Sequence, residues 1–233
     1  MKAKSHSTTS LADQSYEVLR NLILTTELPP ESLWSDRELC ERFGLSRTPV
    51  REAILRLQTE QLVEIVPRKG TRILPLLISD VRDIHQVIRA LELEAAVLLT
   101  KTSDEDRDLE LLQQAVEDME SAIKDGDRES WAEADRRFHY IVVDMCGNPR
   151  LAKMYHAQRG LTDRARYFTL HLREMPVKST QEHRGMYEAI LSRDLDQLVR
   201  LYRLHWDRTT EEMLALIERH AKRTPIPSVT LVM

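Results

Sequence analysis

Between Ser35 and Leu74 the chain is punctuated so closely that few folds remain open to it. Ser35 followed three residues on by Glu38 reads as a capping box, in which each side chain satisfies the other residue's free backbone N–H and a helix begins. Gly44, just past Phe43, ends that helix early, because a left-handed terminal residue is cheapest at glycine. A further helix starts between Ser46 and Pro49, where serine or threonine caps well and proline is tolerated in the first turn. Its apolar face is Val50, Ile54 and Leu57. Leu62 to Val66, Pro67-Arg68-Lys69-Gly70 and Thr71 to Leu74 then read as strand, turn and strand. Upstream, a helix is expected over about Leu11 to Thr26, with Leu11, Val18, Leu22 and Ile23 on one face, ending before Pro29-Pro30. Helix, helix, tight turn, helix and hairpin in this order make a winged helix-turn-helix, expected to occupy residues 1–76.

That architecture gives the basic residues a use. Recognition helices present their N-terminal residues to base edges in the major groove, which places Arg47, Thr48 and Arg51 at DNA. Arginine suits bidentate contact with guanine, each such pair contributing about 1–3 kcal/mol of discrimination. Arg37, opening the preceding helix, is placed for a phosphate or an adjacent base. The Arg68-Lys69-Gly70 turn is expected to reach the minor groove or backbone, glycine allowing close approach. Charge agrees only modestly: the formal net charge is −4, yet Arg37 to Arg72 carries 8 basic against 5 acidic residues. By themselves such charges would read as a solvated helix surface.

The stretch SDRELCERFGLSRTPVREAILRLQTEQLVEIVPRKGTRI resembles the DNA-binding signature of the GntR family of bacterial regulators. The resemblance implies operator contacts from Arg37, Arg47, Thr48, Arg51, Lys69 and Gly70. Two positions depart from it: Glu31 and Gln61 stand where the family usually has glycine.

From Ser79 onward only helical stripes appear, at about 79–101, 104–124, 128–146, 149–173, 178–192 and 194–222, an antiparallel all-helical bundle expected to span 77–223. Stop and start signals at Asp125-Gly126, Gly147-Asn148-Pro149, Pro176 and Asp194 separate them. The fold class is therefore mainly α, with a C-terminal tail over 224–233 whose Pro225 and Pro227 cannot continue a helix.

Polar residues interrupt the apolar stripes of this bundle. Asp135 and His139, one turn apart, share the inward face of Trp131, Phe138 and Val142. His183 precedes Met186 and Tyr187 on its stripe, and His205 lies in register with Leu198. Burying such groups unpaired is costly, and a divalent cation would satisfy all four. For each histidine singly, a hydrogen-bonded core residue is the simpler reading. The pattern Asp135, His139, His183 and His205 resembles the FCD ligand-binding domain of FadR-type GntR regulators, where matching positions bind metal. The resemblance implies a divalent ion, zinc foremost, with nickel, manganese or iron as alternatives, and a small organic or sugar acid chelated on it. Arg89, in RALELEAA, matches the arginine of the family's RxxLE motif and is a candidate clamp for the acid, its plainer role being a surface pair with Glu92.

A metal-activated water would make the same site a hydrolase, but no general base stands out beside it. A regulator in which the ion is structural, or is itself the signal, stays open at this point. The chain has no apolar run approaching a membrane span and no signal-peptide core at its N-terminus, so a cytoplasmic protein is expected. Cys40 and Cys146, far apart and outside any CxxC, fit a reducing compartment. Symmetric operators mirror protein symmetry, so a homodimer reading a short palindrome is expected.

Overall fold

A computed structural model describes residues 10–102 and 109–223, which leaves the expected tail outside the described residues. The chain divides into two compact units, residues 1–76 and 77–233.

The first unit contains α1 (Leu11–Leu24), β1 (Leu33–Trp34), α2 (Asp36–Phe43), α3 (Arg47–Thr59), β2 (Val63–Val66) and β3 (Gly70–Ile73). The capping box is closed: Glu38 N donates to Ser35 Oγ at 3.2 Å, and Ser35 N donates to Glu38 Oε2 at 2.8 Å. Gly44 ends α2 in the left-handed region at φ 67°. Ser46 occupies the N-cap of α3 with extended backbone, but its side chain makes no capping bond. The core gathers Leu19, Leu22 and Ile23 of α1 with Leu39, Val50, Ile54 and Leu57.

Leu11 and Val18, expected inside, are 66% and 40% exposed. The buried stripe of α1 is centred on Tyr16, Leu19 and Ile23; Leu22 marks its edge, and the two misplaced residues lie beyond that edge. Polar residues took the inward places, since Tyr16 and Arg20 both bind Glu60 at the end of α3, the arginine at 3.2 Å.

The hairpin carries a third strand that the sequence reading lacked. β1 pairs antiparallel with β3, Leu33 opposite Arg72 and Trp34 opposite Thr71, giving the order β1-β3-β2. This strand explains Gly70. Its φ is +121°, and a Cβ there would stand 2.3 Å from the Trp34 carbonyl oxygen, so the residue must be glycine for the sheet's own sake. Glu31 and Gln61, the two departures from the family's glycines, adopt φ of 62° and 57°.

The second unit is a helical bundle of α4 (Ile78–Lys101), α5 (Glu110–Asp125), α6 (Arg128–Asp144), α7 (Pro149–Leu170), α8 (Val177–Ser192) and α9 (Leu195–Arg223). Asp127 caps α6 by accepting from Ser130 N at 3.0 Å. Asn148 caps α7 by accepting from Arg150 N and Leu151 N, with Pro149 in the first turn. α4 packs against α6, α7 and α9, while α8 packs against α5 and α9. The core between them is largely apolar, but polar residues enter it from several helices: α7 buries Arg159, Thr162, Asp163, Arg164 and Thr169, and His85, Glu92, Asp135, His139, Glu182, His183 and His205 are buried on the helices around it. No helix among the described residues is long and apolar enough to cross a membrane.

Candidate functional site

In the first unit, α2, α3 and the β2–β3 turn enclose an open cleft of about 720 Å³ whose lining includes Arg37, Arg47, Arg51, Arg68, Lys69 and Gly70. Thr48 is exposed on the first turn of α3 without lining that cleft. Arg51 Nε donates to Asp36 Oδ2 at 2.7 Å, so the first residue of α2 fixes the arginine of α3. Arg42, which the sequence reading left unassigned, stacks over Trp34 with its guanidinium 5.0 Å from the ring. The result is a concave, cation-lined face between a helix and a wing, matched to a polyanion.

In the second unit, His139 of α6, His183 of α8 and His205 of α9 are buried together, with one ligand atom of each within 4.8 Å of the others. His139 Nε2 and His183 Nε2 are 3.2 Å apart. That is about the edge of a tetrahedron built on metal–nitrogen bonds of about 2.0–2.1 Å. Asp135 Oδ1 lies 3.7 Å from His139 Nε2 and 3.4 Å from His183 Nε2. All four predicted ligands are therefore brought to one place.

The outer nitrogens decide what this cluster can do. His183 Nδ1 donates to the Ser179 carbonyl at 2.6 Å, His205 Nδ1 to Glu182 Oε2 at 2.8 Å, and His139 Nδ1 to Glu92. A carbonyl and two carboxylates can only accept, so every proton sits on Nδ1 and three bare Nε2 lone pairs converge. His205 Nε2 has no hydrogen-bond partner at all. Convergent lone pairs repel unless a cation lies among them. Arg166 supplies part of that charge, donating to His139 Nε2 at 2.8 Å and pairing with Asp135 Oδ2 at 2.7 Å.

The acceptors are themselves held. Tyr155 OH donates to Glu92 Oε2 at 3.1 Å, and Arg208 grips Glu182 while its Nη2 also donates to Ser179 Oγ at 2.9 Å. Such outer partners lock tautomer and ring orientation, as at metal sites. Burial, with His205 alongside, drives the His183 imidazole well below its ordinary value; burial likewise lowers His205, against the pull of Glu182. Burial raises Asp135, but Arg166 and the neighbouring imidazoles outweigh it and hold the carboxyl well below the usual range.

Arg89 is not brought to the cluster. It lies on the outer flank of α4, 40% exposed, where it pairs with Asp207 of α9 rather than with Glu92. Glu92 is wholly buried on His139 instead. The arginine that touches the cluster is Arg166 of α7, and Arg208 of α9 stands behind it on Glu182; no motif announced either, and for Arg166 the signal available was a helix with charged residues on every face and therefore inside.

Residues 11–73 match the family described as bacterial regulatory proteins, gntR family, and residues 83–208 match the FCD domain. A protein described as an uncharacterized HTH-type transcriptional regulator in an unstable DNA locus of Streptomyces ambofaciens is 31% identical over 185 residues, which cover 77% of this chain and 75% of that protein. The HTH-type transcriptional repressor RspR of Escherichia coli (strain K12) is 26% identical over 204 residues, covering 86% and 87% respectively. Among solved structures, E. coli McbR/YncC superposes with a TM-score of 0.75 at 20% identity, over 91% of this chain and 99% of that one, a likeness of fold.

Proposed function

From the premise that the chain belongs to the gntR family of bacterial regulatory proteins and carries an FCD domain, we propose that it is a metal-dependent sensor of a small carboxylic acid that answers by changing its affinity for operator DNA. It is a DNA-binding transcription regulator rather than an enzyme. Arg47, Thr48 and Arg51 read bases, while Arg37, Lys69 and the Gly70 turn hold the backbone. Two copies bind as a homodimer on a short palindrome in the cytoplasm.

The single observation that carries the sensor reading is the convergence of three Nε2 lone pairs whose Nδ1 atoms are all committed to acceptors. Asp135, His139, His183 and His205 are the residues that would hold a divalent ion, zinc foremost, with nickel, manganese or iron accommodated by the same donors. When bound, the ion supplies a Lewis-acidic position for a carboxylate. Arg166, beside Asp135 and His139, takes the clamping role first considered for Arg89. Ligand and operator communicate only through their different affinities for two states of the protein.

The deciding experiment melts metal-loaded and chelated protein against a panel of organic and sugar acids and repeats operator binding with each. A native-state ligand at 100 times its Kd adds about 2.7 kcal/mol. An acid that stabilises only the loaded form, and that shifts operator affinity, is expected. His183→Ala should keep operator affinity and lose the response, whereas Arg47→Ala or Arg51→Ala should weaken specific binding roughly tenfold or more without changing the melt. If chelation lowers the melt and no acid shifts it, the ion is structural or is itself the signal and the acid-sensor reading is wrong.

A further inference from the structure

Beside the histidine cluster, the interior between α4, α7 and α9 collects buried donors that no protein acceptor meets. Arg159, Thr162 and Arg166 share one face of α7, at i, i+3 and i+7; Tyr202 and Trp206 are one turn apart on α9; His85 and Glu92 are two turns apart on α4. Arg159, Thr162 and Tyr202 are 0% exposed, Trp206 1% and His85 2%.

His85, Trp206, Arg166 and Arg159 form one neighbourhood continuous with the candidate metal site, with Thr162 one turn from Arg159 and Tyr202 one turn from Trp206. The His85 ring meets Trp206 edge-on at 5.4 Å, and the Arg166 guanidinium stands 5.8 Å from the same indole. The Arg159 guanidinium stands 5.4 Å from the ring of Tyr155, whose hydroxyl bonds the Glu92 carboxylate that orients His139. Burial together with the Arg166 and Arg159 charges lowers His85 to about 3, which keeps that ring neutral.

Within this neighbourhood Arg159 Nη1 and Nη2, Thr162 Oγ1, Tyr202 OH, Trp206 Nε1 and His85 Nε2 have no hydrogen-bond partner. Buried polar groups in native proteins are nearly always satisfied, so this concentration marks a place built for an occupant. Arg159 Nη1 and Nη2 and Trp206 Nε1 can only donate and the two hydroxyls are able to, so the occupant is rich in acceptors. Arg159 is also aimed. Its Nε lies 2.9 Å from Asp163 Oδ1, and Asp163 Oδ2 accepts from Tyr140 OH at 3.0 Å, which leaves the two terminal nitrogens presented side by side. A planar fork of this kind matches a carboxylate.

Resting on the reading of an acid bound at the metal site, we propose that the effector is a dicarboxylate. One carboxylate sits at Asp135, His139, His183 and His205; the second is clamped by Arg159, with Thr162 and Tyr202 donating to its oxygens. Arg159 is thereby the residue that separates diacids from monoacids.

The test is calorimetric titration of the zinc-loaded full-length protein with acetate, propionate, malonate, succinate and glutarate. At least one diacid is expected to bind tenfold or more tightly than the monoacids. Arg159→Gln should bring that diacid down to the monoacid level while leaving acetate affinity and zinc affinity unchanged. Because a buried arginine can be needed for folding, Tyr202→Phe provides the second variant: it removes one unmet hydroxyl, so the ligand-free melt should stay level or rise while diacid affinity falls several-fold. Monoacids that bind as tightly as every diacid, or a diacid preference untouched by both variants, would overturn the proposal while leaving the acid-sensor reading standing. Binding of zinc with no acid bound at all would overturn the sensor reading itself, and this one with it.

Discussion

Gly70 answers to its own sheet before it answers to DNA, because the Trp34 carbonyl occupies the space a Cβ would need. Gly70→Ala is therefore expected to loosen β1 from β3 and cost about 1–3 kcal/mol in urea unfolding, with operator affinity falling as a consequence of the displaced wing. Glu31 and Gln61 pose the reverse case. Each holds a left-handed backbone at a cost that glycine does not incur, so Glu31→Gly and Gln61→Gly should each raise stability by up to about 1 kcal/mol. His85 adds a pH dependence with a definite sign. Its folded pKa is lowered to about 3 from an ordinary 6.5, so the unfolded chain binds more protons between those values. Stability present above 6.5 is lost as the pH falls towards 3, and His85→Gln should flatten that slope in denaturation curves taken at neutral and acid pH. The glycine exceptions were legible from the motif as departures, but the reason for Gly70 was not, since a strand of two residues leaves no periodic trace.

At the level of elements, legibility followed the source of the signal. α2, α3 and the hairpin were readable because local chemistry fixes their ends: the Ser35–Glu38 box, Gly44, and the turn before Gly70. The inward face of α1 was misjudged because Tyr16 and Arg20, by reaching Glu60, displaced the apolar residues that periodicity favoured. Helical spacing put Asp135 and His139 on one inward face and register turned His183 and His205 inward, but it was the resemblance to the FCD domain that joined the four. Their outer partners could not be read, since Glu92, Ser179 and Glu182 acquire their roles only when α4, α8 and α9 pack. Those partners carry a prediction: Glu92→Gln should lower zinc affinity about 10–100-fold in competition titrations, because the amide no longer enforces the His139 tautomer. Equal affinity in that variant would show that the imidazole is oriented by packing alone.

Taken whole, the molecule shows how little net charge says about a nucleic-acid partner. The chain is acidic at −4, yet one cleft collects Arg37, Arg47, Arg51, Arg68 and Lys69. Lys69→Ala should weaken binding evenly across sequences and reduce the slope of log affinity against log salt by about 1, whereas loss of Arg51 should flatten sequence preference. The committed Nδ1 protons have an energetic corollary for the other unit. Since the nitrogens turned towards the candidate site carry no hydrogen when the three rings are neutral, their lone pairs are available to an occupant without a change of tautomer. His183 and His205, kept neutral by burial, then add no proton to the heat of filling, so any difference in that heat between buffers of high and low ionisation enthalpy reports groups other than these two rings.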